Sequence, residues 1–181
     1  MSKNIIKPFE LLLEYEKRSV THALGSTNEE SELGDWSGIG FKIGEIYLVS
    51  QVDEVNEVVI LPELVRIPGI DSWVLGLVNI RSNLIPAIDL RAYLTNEPSK
   101  LTKHSRMLVI NQPGGQAGLV VDEVFGQRHF KQSESHDVEG DDDSRVYKYC
   151  DKFFSHDDVS WMVFEMGQLV QDSNFQNASI K

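Results

Sequence analysis

Gly76-Leu77-Val78-Asn79-Ile80-Arg81-Ser82-Asn83-Leu84-Ile85-Pro86-Ala87-Ile88-Asp89-Leu90 sets two apolar runs on either side of a polar centre. The pattern predicts a β-hairpin with a charged tip. Side chains alternate along a strand, so Gly76, Val78 and Ile80 share one side, and Leu77, Asn79 and Arg81 the other. Both sides are apolar low on the strand, which predicts a buried base. Pro86 cannot donate to a ladder and marks an edge or a bulge. The tip admits two turns. A turn at Arg81-Ser82 pairs Ile80 with Asn83; a turn at Ser82-Asn83 pairs Arg81 with Leu84. On pattern alone Arg81 is an ordinary solvated turn residue.

Outward from the hairpin, periodicity of two dominates. Ile39, Phe41 and Ile43 alternate with small or polar residues, and Ile46 and Leu48 follow a Gly44-Glu45 turn, which predicts a second hairpin. Residues 51–55 predict a single-turn element, and 57–61 and 64–67 predict strands, the latter stopped by Pro68-Gly69. Residues 91–94 predict one helical turn. Beyond a polar linker at 95–105, strands at 107–110 and 117–121 flank a Pro113-Gly114-Gly115 turn, and further strands are expected at 126–130 and 159–165. Residues 131–145 are acidic and read as an exposed loop. Residues 168–175 predict a short closing helix. Many short strands with frequent turns predict an all-β chain of barrel or sandwich type. The linker near residue 100 suggests two subdomains sharing a hydrophobic core.

Residues 8–24 predict an amphipathic helix, with Pro8 at its first position, apolar Phe9, Leu12, Leu13 and Val20, and Gly25 to close it. The polar connector 26–35 follows. The expected organisation is an N-terminal extension over 1–35 and a folded body over 36–176.

The chain has 181 residues, enough for one ordinary domain, and its net charge of −11 opposes binding to nucleic-acid phosphates or an anionic membrane leaflet. No apolar run is long enough to span a bilayer. The N-terminus lacks a signal-peptide core, so cytoplasm is the expected compartment. Cys150 is the sole cysteine, which excludes an intramolecular disulfide and reads as a buried core residue. The five histidines form no metal-ligand motif, and the acidic run Asp137–Asp143 lacks the ligand spacing of a calcium loop. Phosphate-loop, dinucleotide-binding and nucleophile-elbow motifs are absent. No catalytic residue, metal site or cofactor is expected. A small metal- or ligand-binding enzyme using the acidic loop with His129 or His136 is the remote alternative.

The central stretch resembles the G-x-x-N-x-R-G-x-x-x-P-x-x-D-L segment of the CheW-like chemosensory adaptor family. Gly76, Asn79, Arg81, Pro86, Asp89 and Leu90 match it, and Ser82 stands where the family has glycine. Two further segments match in order: Phe41–Glu45 with Val55–Val58, and Ala117–Val124, which resembles G-L-V-V-D-x-V. Together they cover about residues 38–170. The N-terminal segment, Gly34–Gly40 and the closing Asp172 to Phe175 look like the PilI-type branch, adaptors of the system controlling type IV pili and twitching motility. A flagellar chemotaxis adaptor is the alternative within the family.

The resemblance implies two SH3-like β-barrel subdomains with a shared core, an N-terminal helix and a short C-terminal helix. It implies no catalysis. The implied partners are the cytoplasmic tip of a methyl-accepting receptor and the regulatory domain of a CheA-like histidine kinase, with recruitment to membrane-associated receptor arrays. Carried over by position, Val55, Glu57, Gly76, Asn79 and Arg81 fall where the family makes partner contacts, with backbone support as the other role open to Gly76. Gly118 and Val120 are expected in the core of the second barrel, and Asp89 in a structural hydrogen bond.

Overall fold

The computed structural model describes residues 36–138 and 144–177. The expected N-terminal helix, its connector and residues 139–143 of the acidic loop lie outside them. The body is mainly β. Eleven strands are described: β1 (Trp36–Ile43), β2 (Ile46–Gln51), β3 (Glu57–Ile60), β4 (Val74–Ile80), β5 (Asn83–Asp89), β6 (Arg106–Gln112), β7 (Gly115–Val121), β8 (Glu123–Phe130), β9 (Ser135–Asp137), β10 (Lys152–His156) and β11 (Val159–Val163). Short helices are α1 (Leu90–Thr95), α2 (Met166–Gln171) and α3 (Ser173–Gln176), with 3-10 turns at Val52–Glu54, Gln132–Glu134 and Tyr147–Tyr149.

The strands form two sheets, in the orders β8-β1-β2-β11-β10-β9 and β3-β6-β7-β5-β4. The linker near residue 100 does not divide them. It joins β5 and α1 to β6 inside one sheet. The chain passes from one sheet to the other after β2 and returns at β8. Each sheet recruits strands distant in sequence through one parallel pair, β2 with β11 and β5 with β7. A polar linker marks a solvated connection, not a change of sheet, which is why composition misplaced the division. For the same reason Gly118 and Val120 share a sheet with the Gly76–Leu90 hairpin instead of belonging to a second barrel.

Three apolar clusters hold the body. Val78, Ile85, Ala87, Met107, Val109 and Val120 fill the inner side of the five-stranded sheet. Val49, Phe130, Phe154, Trp161 and Val163 do the same for the six-stranded one, where Phe130 and Phe154 stack at 4.7 Å. The largest cluster draws on both sheets, including Phe41, Leu48, Ile88, Leu108, Leu119 and Phe164, and is the shared core. Alternation explains the arrangement. In β6, Met107 and Val109 face one cluster while Leu108 and Ile110 face the shared one.

Several local expectations need correction. Residues 64–67 form no strand; only an isolated bridge joins Val65 to Leu77. Pro62 and Pro68 bracket this segment and remove two ladder donors. β10 carries Phe153 and Phe154 side by side, so no period of two marks it as a strand, yet it pairs with β11 and β9. β9 and the 3-10 turn Gln132–Glu134 occupy the first part of the expected acidic loop. The closing helix is two helices, broken at Asp172, whose backbone is extended and whose side chain caps Asn174. No helix among the described residues is long and apolar enough to cross a membrane.

Candidate partner-binding site

The hairpin turns at Arg81-Ser82, pairing Ile80 with Asn83. Both turn residues are left-handed, with φ of 49° at Arg81 and 71° at Ser82. This is the twist that suits a two-residue hairpin, usually carried by Asn-Gly. Arg81 Nη2 donates to Glu57 Oε1 at 2.8 Å. The Arg81 side chain is 78% exposed and that of Glu57 31%. The pair stands in the open, with most of the arginine's five N–H donors free of Glu57.

Glu57 is held by its neighbours. The Asn56 amide donates to Val109 O at 2.9 Å, which fixes the start of β3 against β6. Asn56 Nδ2 donates to Asn111 Oδ1 at 3.1 Å, and Gln116 Nε2 approaches the same oxygen at 3.5 Å. Asn56, Glu57, Ile80, Arg81, Asn83, Val109 and Gln116 line a cleft of about 320 Å³. Its walls are an ion pair and side-chain amides over an apolar floor. Large apolar side chains stand exposed on the faces of β3 and β5 turned away from the cleft: Val58 and Ile60, which alternate with Glu57, and Leu84, which lies opposite Asn79, with Ile60 75% and Leu84 67% exposed.

The five expected site residues therefore separate. Glu57 and Arg81 meet. Asn79 is exposed but opposite Leu84, on the strand face away from Ile80 and the cleft. Val55 is half-buried where the 3-10 turn ends and packs on the shared core. Gly76 is buried. Its φ is 141°, and a Cβ there would lie 2.3 Å from Val65 O, so it supports the backbone. Asn56, Ile80, Asn83 and Gln116 were not legible as lining residues. Asn56 and the tip pair lie next to matched motif positions, whereas Gln116 arrives through the β6–β7 hairpin and carries no local signal.

The other motif residues are structural. Asp89 is buried; it caps α1 by accepting from the Ala92 amide at 3.0 Å and takes the Ser99 amide and hydroxyl at 2.8 and 2.7 Å. Gly118 lets Met107 pack, since a Cβ would lie 2.3 Å from its sulfur. Cys150 is buried, and burial pushes its thiol up to about 12, far from the reactive thiolate range. Among the described residues no group of three or more His, Cys, Asp or Glu is arranged to hold a metal ion.

Comparison with known proteins gives concordant results. The sequence profile of the CheW-like domain family matches residues 37–174. The chain is 34% identical over 173 residues to Protein PilI of Pseudomonas aeruginosa, covering 96% of this chain and 97% of that protein. It is 30% identical over 81 residues to Chemotaxis protein CheW of Bacillus subtilis, covering 45% of this chain and 51% of that one. Its fold is similar to that of the scaffolding protein TtCheW from Thermoanaerobacter tengcongensis, with a TM-score of 0.65 at 20% identity, covering 81% of this chain and 97% of that structure.

Proposed function

The chain belongs to the CheW-like domain family, a family of non-catalytic chemosensory scaffolds, and on that premise we propose that it couples the cytoplasmic tip of a methyl-accepting receptor to the regulatory domain of a CheA-like histidine kinase in a pathway controlling type IV pili. One observation carries the contact surface: the solvent-exposed Arg81–Glu57 pair at the mouth of a polar cleft. An antiparallel helical tip would lay an apolar stripe on such a surface. Val58, Ile60 and Leu84, on the faces of β3 and β5 turned away from the cleft, would supply apolar contact along the sheet margin, while Arg81 would fix orientation on a carboxylate or carbonyl. Signal transfer then requires different contacts in the kinase-on and kinase-off states, not tight binding alone. The similarity to Protein PilI over nearly the whole chain, including residues ahead of the family match, supports the pilus pathway.

The test uses the purified full chain, a soluble receptor-tip fragment and a CheA-type regulatory domain. Arg81→Glu weakens binding to at least one partner while the unfolding midpoint stays near that of the parent. Unchanged binding to both removes Arg81 from the surface. A deletion strain that loses twitching but keeps swimming supports the pilus assignment; the reverse pattern defeats it.

A further inference from the structure

His156 ends β10 beside the turn that joins it to β11, and each of its ring nitrogens faces a carboxylate. Nδ1 lies 3.4 Å from Glu134 Oε1, on the 3-10 turn Gln132–Glu134. Nε2 lies 3.5 Å from Asp157 Oδ2, in the hairpin turn. Both carboxylates are placed by their own turns. Glu134 Oε2 accepts from the Lys131 amide at 3.1 Å, which leaves Oε1 for the ring. Asp157 and Asp158 are the two left-handed residues of the β10–β11 turn, with φ of 52° and 60°. Phe130 meets the imidazole edge-on at 5.8 Å. Asp158 and Lys131 are the charged neighbours of these contacts along the chain. His136 stacks on Phe153 and His129 alternates with Phe130, so both lie on strand faces turned away from the ring. Lys152 and Asp137 face each other at the far end of β10.

A neutral imidazole has one N–H, so it can donate to one of the two carboxylates while its bare nitrogen faces the lone pairs of the other. The imidazolium donates from both nitrogens. We propose that His156 is a proton-dependent clasp: its imidazolium bridges Glu134 and Asp157, ties the 3-10 turn to the β10–β11 hairpin, and steadies β9, the strand that follows the turn. The clasp works within a pH window. On the upper side His156 gives up its proton and one contact turns repulsive, so the contribution is lost as pH rises through that titration. On the lower side Glu134 must gain a proton. The Lys131 amide first, and then His156, hold its carboxyl below the ordinary glutamate range against desolvation. The carboxylate therefore persists in moderate acid, and this part is lost as pH falls through the lowered value. β9 is one margin of the six-stranded sheet, so the proton sets how firmly that edge is held. The Arg81–Glu57 pair lies on the other sheet, and the clasp stands or falls independently of any partner.

Carbon-13 and nitrogen-15 NMR of the labelled full chain tests it. As His156 gains its proton, the Glu134 and Asp157 carboxyl carbons are both expected to shift. Over the same range the hydrogen-exchange protection of the β9 amides, and of the Val138 amide that donates to Asp151 O, rises about threefold, the scale of weak exposed ion pairs. Protection is taken relative to the intrinsic exchange rate at each pH. Glu134→Gln keeps an acceptor for the Lys131 amide, and Asp157→Asn keeps a residue that tolerates the left-handed turn. Each variant is expected to remove most of the rise. The carboxyl shifts are read on the parent itself, so the test does not depend on the variants folding. If either carboxyl carbon ignores the His156 proton, or if β9 protection follows the parent's pH profile in both variants, the clasp is overturned.

Discussion

Arg81 Nη2 lies 2.8 Å from Glu57 Oε1 and so joins the two margins of one sheet. Glu57 opens β3, one edge strand. Arg81 forms the turn leaving β4, the other edge strand. The five strands therefore curl until the first and last elements meet, and the bridge between Val65 and Leu77 covers the outer side of β4. The ion pair sits on this seam, but in water.

Its exposure decides its energetic weight. With Arg81 78% exposed, screening and side-chain entropy leave such a pair worth less than about 1 kcal/mol. Arg81→Ala is expected to shift the urea midpoint only slightly. A loss of more than about 2 kcal/mol would show that the pair holds the seam shut, and would disqualify Arg81 substitutions as clean probes of binding.

Gly76 behaves oppositely. Its left-handed backbone strains any other residue, and a Cβ would press against Val65 O at 2.3 Å, a backbone atom held by the bridge to Leu77. Gly76→Ala is expected to cost about 3 kcal/mol or more, combining strain with displacement of the segment between the prolines. Denaturant unfolding measures it. A variant as stable as the parent would return Gly76 to the list of surface contacts.

Ser82 carries a cost that glycine would not. At φ 71° an L side chain is disfavoured by about 1–2 kcal/mol, partly offset because glycine leaves a more flexible unfolded chain. Ser82→Gly is expected to stabilise the protein by about 0.5–1 kcal/mol. An unchanged or lowered midpoint would mean that the serine side chain makes compensating contacts in the turn.

These positions show what the chain made legible. Alternation found β1, β2, β4 and β5, because a half-buried strand writes its two faces into successive residues. Segment matches found Glu57 and Arg81 without revealing that they touch, since 24 residues separate them and the contact depends on the curl of the whole sheet. The motif also merged two roles. Gly76 and Asp89 occupy matched positions because the backbone and a helix cap require them, while Arg81 occupies one in the open. Sequence spacing cannot separate these cases; burial does. The passage between sheets after β2 was hidden for a different reason. Parallel pairing of β2 with β11 and β5 with β7 brings together residues with no local signature.

Asp172 supplies the pH dependence with the clearest sign. It breaks the C-terminal helices, caps Asn174 at 2.8 Å, and accepts at 2.5 Å each from Lys148 Nζ and Tyr149 Oη, the latter also 3.1 Å from Tyr93 Oη. Burial alone would raise its carboxyl. The donors outweigh that and hold it down to about 2. A depressed carboxyl binds protons less tightly in the folded state. Its stabilisation is therefore present above the unfolded value near 3.8 and is lost as pH falls toward 2. The linked amount is up to about 2 kcal/mol. In Asp172→Asn this acid-side decline should shrink, while stability near neutrality drops because Lys148 loses its charged partner and Tyr149 a strong acceptor. Fluorescence-detected urea unfolding from pH 2 to 7 on both proteins measures the difference. Parallel pH profiles would show that Asp172 is not held low, and that the α2–α3 break is kept by the packing of Phe175 against Trp73 and Tyr93 instead.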